Sequence, residues 1–230
     1  MAERPYTLLS CCISLDGYLA GPSKDRLLLS NEADFDRVDA VRADCDAILV
    51  GAATIRDDDP RLLVRKRSRR DERVARGLGP SPTKVTVTSG GRLDAEARFF
   101  ALGTAEKLVY CASDVVACAR ERLGGVATVV DAGQPVDMGR LSADLHARGV
   151  RRLMVEGGGT VLTQFLTADL ADQLDLVVAP VFVGDSRAPR FVGDGRFPWT
   201  TQHRARLADV RRLDDVVILR YALSARFCAS

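Results

Sequence analysis

Three consecutive glycines, Gly157, Gly158 and Gly159, stand between a short apolar run ending in Glu156 and an apolar-periodic segment that begins at Thr160. A strand that stops at glycines and turns into a helix brings bare backbone N–H groups to one point. The positive end of the helix dipole then favours an anion there. Glycine also lets a ligand come close to the backbone. The common templates do not fit. A G-x-G-x-x-G fingerprint starting at Gly157 needs glycine at 162, where Leu162 stands, and no Gly-Lys-Ser/Thr follows as a phosphate loop requires. A tight structural turn explains the pattern as well as an anion cradle does.

A second stretch, LVGAATIRDDDPRLLVR (49–65), carries Thr54, the aspartates 57–59 and Arg65. Three consecutive aspartates on one turn cannot all face one metal. Their simplest use is capping and turning the chain before Pro60. The chemical use is for one aspartate and Thr54 to contact a sugar or amide while Arg65, with its planar fork of donors, takes a phosphate. From Arg61 to Arg76 there are eight basic residues and two acidic ones. That run reads as a solvated surface loop extending to residue 82. It lacks the interleaved aromatics of a single-strand nucleic-acid groove. His146 and His203 have no partner motif, and there is no G-x-S-x-G for a serine nucleophile. With no C-x-x-C pair and only those two histidines, no zinc site is expected.

Such residues need a scaffold. Apolar, β-branched runs recur at 6–14, 46–51, 83–89, 107–111, 127–131, 152–156, 174–180 and 215–223. Between them, 31–44, 113–123 and 136–149 have helical periodicity, with Asn31 as a cap, Phe35, Val38 and Val41 on one face, and Gly149 closing the third. This alternation predicts an α/β fold with a mixed, mostly parallel sheet and helices on both faces. Strand-like pieces near 174–183, 203–211 and 215–223 follow one another without a crossover helix, which predicts antiparallel C-terminal strands. The 33 basic and 31 acidic residues leave a net charge of +2, so no global field draws the chain to nucleic acid or a membrane. No apolar window reaches the roughly 20 residues of a membrane span. Six unpaired-looking cysteines fit a reduced, cytoplasmic setting.

Four motifs carry a resemblance: SLDGYLA (14–20), RADCDAILVGAATIRDDDPRLLVR (42–65), TSGGRLD (88–94) and MVEGGGTVLTQFL with LADQLDLVVAPVFVG (154–184). In order and spacing the chain resembles the reductase domain of riboflavin biosynthesis, the C-terminal half of the bifunctional deaminase–reductase, with a dihydrofolate reductase-like fold. The deaminase motifs H-x-E and P-C-x-x-C are absent, so residues 1–230 read as one reductase domain. The resemblance implies NADPH-dependent reduction of a phosphorylated ribosylaminopyrimidine to its ribitylamino form, by hydride transfer to the anomeric carbon of an opened ribose. It places Thr54, Asp58, Ser89, Gly158, Gly159, Thr160, Val161 and Leu162 at the cofactor, with Ser89 and Arg92 at its 2′-phosphate. Asp16, Arg42, Leu62, Arg65 and Glu156 fall to the substrate. The imine proton is assigned to Asp58, Glu156 or a bound water. The family carries a hydroxyl residue and a Trp where this chain has Arg26 and Leu28. The alternatives left open are a dihydrofolate or pterin reductase, a reductase of a related pathway, and an inactive nucleotide-binding protein. A homodimer through the C-terminal strands is expected.

Overall fold

A computed structural model describes residues 3–22 and 27–227. In chain order its elements begin with β1 (Tyr6–Ser14), α1 (Glu32–Asp44), β2 (Ala47–Gly51), α2 (Ala52–Asp58), α3 (Arg67–Ala75), β3 (Thr83–Thr88), α4 (Arg98–Ala101) and β4 (Lys107–Cys111). They continue with a 3-10 turn (Ser113–Val115) leading into α5 (Val116–Leu123), then β5 (Thr128–Asp131), α6 (Met138–Ala147), β6 (Arg152–Gly157), α7 (Gly159–Thr167), β7 (Gln173–Ala179), β8 (Arg206–Leu213) and β9 (Val216–Ala222). The chain forms two compact units. One holds Asp39–Met154 with the residues before Tyr6; the other holds Tyr6–Val38 and everything from Val155 on. The division falls inside α1 and β6.

In the first unit the strand order is β5-β4-β3-β2, and every pairing is parallel. All five residues of β2 are buried, as the continuous apolar runs of a parallel sheet require. Ile48, Val50, Val109, Leu123, Phe99 and Phe100 form the core, with the two rings edge to face at 4.8 Å. Because the strands run one way, Gly51, Thr88, Cys111 and Asp131 end at one edge of the sheet. In open α/β sheets ligands settle at that edge.

The sequence was expected to leave 66–82 as a loop, and here the structure differs. Arg67–Ala75 is helical although almost wholly polar. Arg73 anchors it: the guanidinium is buried and donates to the carbonyls of Ala43 (2.7 Å), Cys45 (2.8 Å) and Gly79 (2.9 Å). No apolar stripe announces such a helix. In α1, Asp34 and Asp39 are buried while Phe35, Val38 and Val41 are only half-buried, so the expected apolar face is not what this helix hides. Asn31 does cap it, accepting from the Asp34 amide at 2.9 Å.

In the second unit β1 pairs with β7 in parallel, and β7-β9-β8 follow antiparallel, with a register shift between Leu207 and Asp209. The expected change from parallel to antiparallel pairing is therefore observed. Two buried carboxylates bind these strands together. Asp175 takes both prongs of Arg220 (2.9 and 3.0 Å) and the Gln173 amide (2.8 Å). Asp172 takes the Thr7 amide (2.9 Å) and the Ser224 hydroxyl (2.6 Å). A buried charge is tolerable only when its lone pairs are met in this way. No helix among the described residues is long and apolar enough to cross a membrane, and the five cysteines described are free thiols.

Candidate active site

In the first unit, β2 and β3 end side by side, with Gly51 opposite Val87. Helix α2 starts immediately after Gly51, and no side chain caps its N-terminus. It carries half-buried Thr54, exposed Arg56 and exposed Asp58. Asp59, in the left-handed conformation (φ 42°), ends it, and its carboxylate accepts from the Arg98 amide at 2.7 Å. Beyond β3, the Thr88 hydroxyl accepts from the Gly91 amide at 3.1 Å, which bends the chain and leaves Ser89 and Arg92 exposed. Arg56 spans the two loops, donating from Nη1 to the Arg92 carbonyl at 3.3 Å. The structure thus brings Thr54, Asp58, Ser89 and Arg92 to neighbouring strand ends.

The segment Arg61–Lys66 is fixed by side chains acting on its backbone. Arg42 donates to the Leu63 carbonyl (3.4 Å), and Ser81 accepts from the Val64 amide (3.1 Å). Asp39 accepts from the amides of Arg65 and Lys66 (3.1 Å for the latter) and from Arg69 Nη1 at 2.9 Å. Burial pushes the Asp39 carboxyl up, but those amides and the Arg69 guanidinium outweigh it and hold it below the usual range. Arg65 is left exposed on a fixed backbone. Leu62 has φ 46°, and its side chain is part of the core. Neither Asp39 nor Ser81 was singled out from the sequence, because partners 26 and 17 residues away leave no local pattern.

In the second unit the three glycines have three different reasons. Gly157 has φ 118°, in the region that favours glycine. Gly158 is the N-cap of α7 and supplies no side chain to its first amides. A Cβ on Gly159 would run into the Arg190 carbonyl. Val161 and Leu162 turn inward to the core and Thr160 is exposed, so the side of this turn open to a ligand is backbone and the Thr160 side chain. By contrast α6 is capped by Asp137, which accepts from Gly139 (2.7 Å) and Arg140 (3.0 Å). An uncapped N-terminus after glycines is the donor set that suits a pyrophosphate. Glu156, half-buried, immediately precedes it.

Asp16 follows β1. Its carboxylate accepts from the Ser14 hydroxyl (2.6 Å) and from the amides of Val183 (3.0 Å) and Gly184 (2.8 Å). The hydrogen bond from Ser14, then those amides, hold its carboxyl down at about 2. These bonds fasten the turn after β1 to the segment after β7. Arg190 leans on the same turn, its guanidinium 4.8 Å from the centre of the Tyr18 ring and 3.1 Å from the Tyr18 hydroxyl. Neither residue of this clamp beyond Asp16 was expected. Leu28 is 62% exposed; Arg26 lies outside the described residues.

Comparison with known proteins fits these features. The model of the RibD C-terminal domain family matches residues 5–219. A 2,5-diamino-6-ribosylamino-4(3H)-pyrimidinone 5′-phosphate reductase of Archaeoglobus fulgidus is 34% identical over 97% of this chain and 99% of its own length. Its counterpart in Methanothermobacter thermautotrophicus is 37% identical over 79% and 80%. Among solved structures, Acinetobacter baumannii RibD superposes with a TM-score of 0.77 at 24% identity, covering 95% of this chain and 58% of that one. The yeast riboflavin biosynthesis reductase Rib7 gives 0.71 at 20% identity, covering 96% and 90%. At these identities the solved structures bear on the fold alone.

Proposed function

Since the chain belongs to the RibD C-terminal domain family, we propose that it is the reductase of the riboflavin pathway that converts a ribosylaminopyrimidine 5′-phosphate to its ribitylamino form with NADPH. Likeness along almost the whole chain to the Archaeoglobus enzyme carries this reading. The relatives are named for the 2,5-diamino compound, so the diamino pyrimidinone is the substrate we assign, with residues 1–230 acting as one reductase domain.

Bound NADPH would supply the hydride for the anomeric carbon of the opened sugar. The chain's own work is to hold and to shield. In the first unit Thr54, Asp58, Ser89 and Arg92 are assigned to the cofactor, and Arg42, Leu62 and Arg65 to the substrate. Arg65 faces the 5′-phosphate in this reading, and Leu62 contributes backbone, its side chain being in the core. In the second unit the amides from Gly158 to Val161 are assigned to the pyrophosphate, the Leu162 amide already donating to the Gly158 carbonyl at 3.1 Å. Glu156 meets the polar part of the substrate, and Asp16 holds the turn after β1. Asp58 or Glu156 delivers the proton to the imine nitrogen, directly or through water.

Support for a homodimer comes from β8 and β9. Leu207, Val210 and Val217 are 50%, 53% and 37% exposed on the antiparallel pair that ends the strand order. A second copy of the chain would cover them. Free thiols fit a cytoplasmic enzyme.

The decisive experiment incubates the protein with NADPH and either the diamino or the deaminated ribosyl phosphate, then weighs the product. Gain of two hydrogens by the diamino compound, with matching loss of NADPH, is the expected outcome. Turnover of dihydrofolate instead, or of neither pyrimidine, would overturn the assignment.

A further inference from the structure

We propose that Arg56 is the second arginine of a clamp for the coenzyme's 2′-phosphate and sets the preference for NADPH over NADH. The inference rests on the reading above, in which Ser89 and Arg92 meet that phosphate.

Arg56 sits in mid-α2, a helix that begins where β2 ends; Ser89 and Arg92 follow the end of the neighbouring strand β3. The 3.3 Å bond from Arg56 Nη1 to the Arg92 carbonyl brings its guanidinium to the backbone of that second loop. Among the described residues this is the one hydrogen bond the Arg56 guanidinium makes; it has no ion pair, and the Arg92 guanidinium has neither. Of the acids near this pair, Asp59 and Asp94 are engaged elsewhere. Asp59 takes the Arg98 amide at 2.7 Å and lies 3.9 Å from the Arg98 guanidinium, and Asp94 takes the Glu96 amide at 3.0 Å.

Two exposed guanidinium groups, one on α2 and one on the adjoining loop after β3, repel one another unless an anion lies between them. A phosphomonoester near neutral pH carries a charge of about −1.5 to −2 and three acceptor oxygens, enough for two forks and a serine hydroxyl. The loop that carries Ser89 and Arg92 is open at Gly90, where an added Cβ meets no atom within 4 Å. A 2′-hydroxyl in the same place neutralises nothing. The pair of arginines therefore discriminates by charge as well as by hydrogen bonding.

The test is equilibrium binding of NADPH and NADH, followed by coenzyme fluorescence, for the wild type and for Arg56→Gln, Arg56→Lys and Arg92→Ala. Adenosine 2′,5′-bisphosphate and adenosine 5′-phosphate serve as competitors that need no turnover. Arg56→Gln is expected to weaken NADPH and the bisphosphate by about tenfold or more, the usual worth of a charge-assisted hydrogen bond, and to leave NADH and the monophosphate unchanged. Arg56→Lys should fall between. Unaltered NADH affinity doubles as the control for folding. Equal losses for both coenzymes, or none for either, overturn the role of Arg56. If Arg92→Ala erodes the preference and Arg56→Gln does not, this inference alone is wrong. A wild type with no preference for NADPH removes the underlying reading with it.

Discussion

Asp39, buried in the middle of α1, accepts the backbone amide of Arg65 and so fixes the point from which that arginine leaves the chain. The same carboxylate holds Lys66 and Arg69. A carboxylate buried without solvent depends on those donors, and they depend on it. If Arg65 grips the 5′-phosphate, Asp39 is its positioning residue. Asp39→Asn exchanges one acceptor oxygen for an N–H group facing these donors. We expect a loss of stability of about 1–3 kcal/mol, the cost of an unsatisfied buried group. We also expect KM for the phosphorylated substrate to rise while kcat changes less. Steady-state kinetics of the single and double variants check this: on an Arg65→Ala background, Asp39→Asn should add nothing to KM. Additive effects would separate the two residues.

Arg65→Ala should itself raise KM for the ribosylaminopyrimidine phosphate by about ten- to a hundredfold, in line with losing one charge-assisted contact. The dephosphorylated riboside gains nothing from Arg65, so its kcat/KM should be unaltered. An equal loss with both compounds would place Arg65 away from the phosphate.

Alkaline stability should show two opposed contributions. Lys84 is buried, and its ammonium donates to the carbonyls of Phe99 (2.8 Å) and Leu102 (2.6 Å). Burial, and secondarily Lys107, push its pKa down to about 8, against about 10.4 in an unfolded chain. The folded state therefore binds fewer protons than the unfolded one between those values, and this group's contribution to stability increases as pH rises from 8 to 10. Burial acts the other way on Cys12 and Cys45, raised to about 11 and 12, so their contribution falls as pH climbs above the ordinary thiol value of about 8.5. The comparison of wild type with Lys84→Met isolates the lysine. Relative to wild type the variant should lose stability as pH rises from 8 to 10, because only the wild type gains there. Urea unfolding at several pH values measures it, and a gap independent of pH would refute the assignment.

What the sequence made legible follows from how local the causes are. The runs that became β2, β3, β4 and β7 are rich in apolar or β-branched residues, and Asn31 caps the helix it begins. Helix α3 was hidden because Arg73, not an apolar stripe, docks it on carbonyls some 30 residues away. The triple glycine could be located but not resolved: a positive φ at Gly157 and the Arg190 carbonyl against Gly159 are tertiary facts. Asp16 reads from sequence as a ligand residue, and three-dimensional structure shows its oxygens receiving Ser14, Val183 and Gly184.

Gly159 offers a sharp test of that distinction. Gly159→Ala must displace the backbone carrying Arg190 or the start of α7. We expect a loss of about 1–3 kcal/mol, typical of overpacking, and weaker NADPH binding. Thermal unfolding and coenzyme titration report the two effects separately. Full coenzyme affinity in a destabilised Gly159→Ala protein would mean that this turn serves packing alone.

The exposed apolar residues of β8 and β9 set the last expectation. Leu207 lies opposite Tyr221 and Val210 opposite Leu219, so these four side chains share one face of the antiparallel pair. Arg212 opposite Val217 borders it. Carboxylates placed on this face would be costly to bury but harmless in water. Val210→Asp and Leu207→Asp should therefore leave the folded monomer intact, as judged by circular dichroism. In sedimentation at micromolar concentration each should shift a dimeric wild type to half its mass. A wild type that already sediments as a monomer, or a dimer indifferent to both substitutions, would move the interface elsewhere. Because the substitutions lie in the second unit, coenzyme preference set by Arg56 and Arg92 should survive them, and that independence can be read in the same preparations.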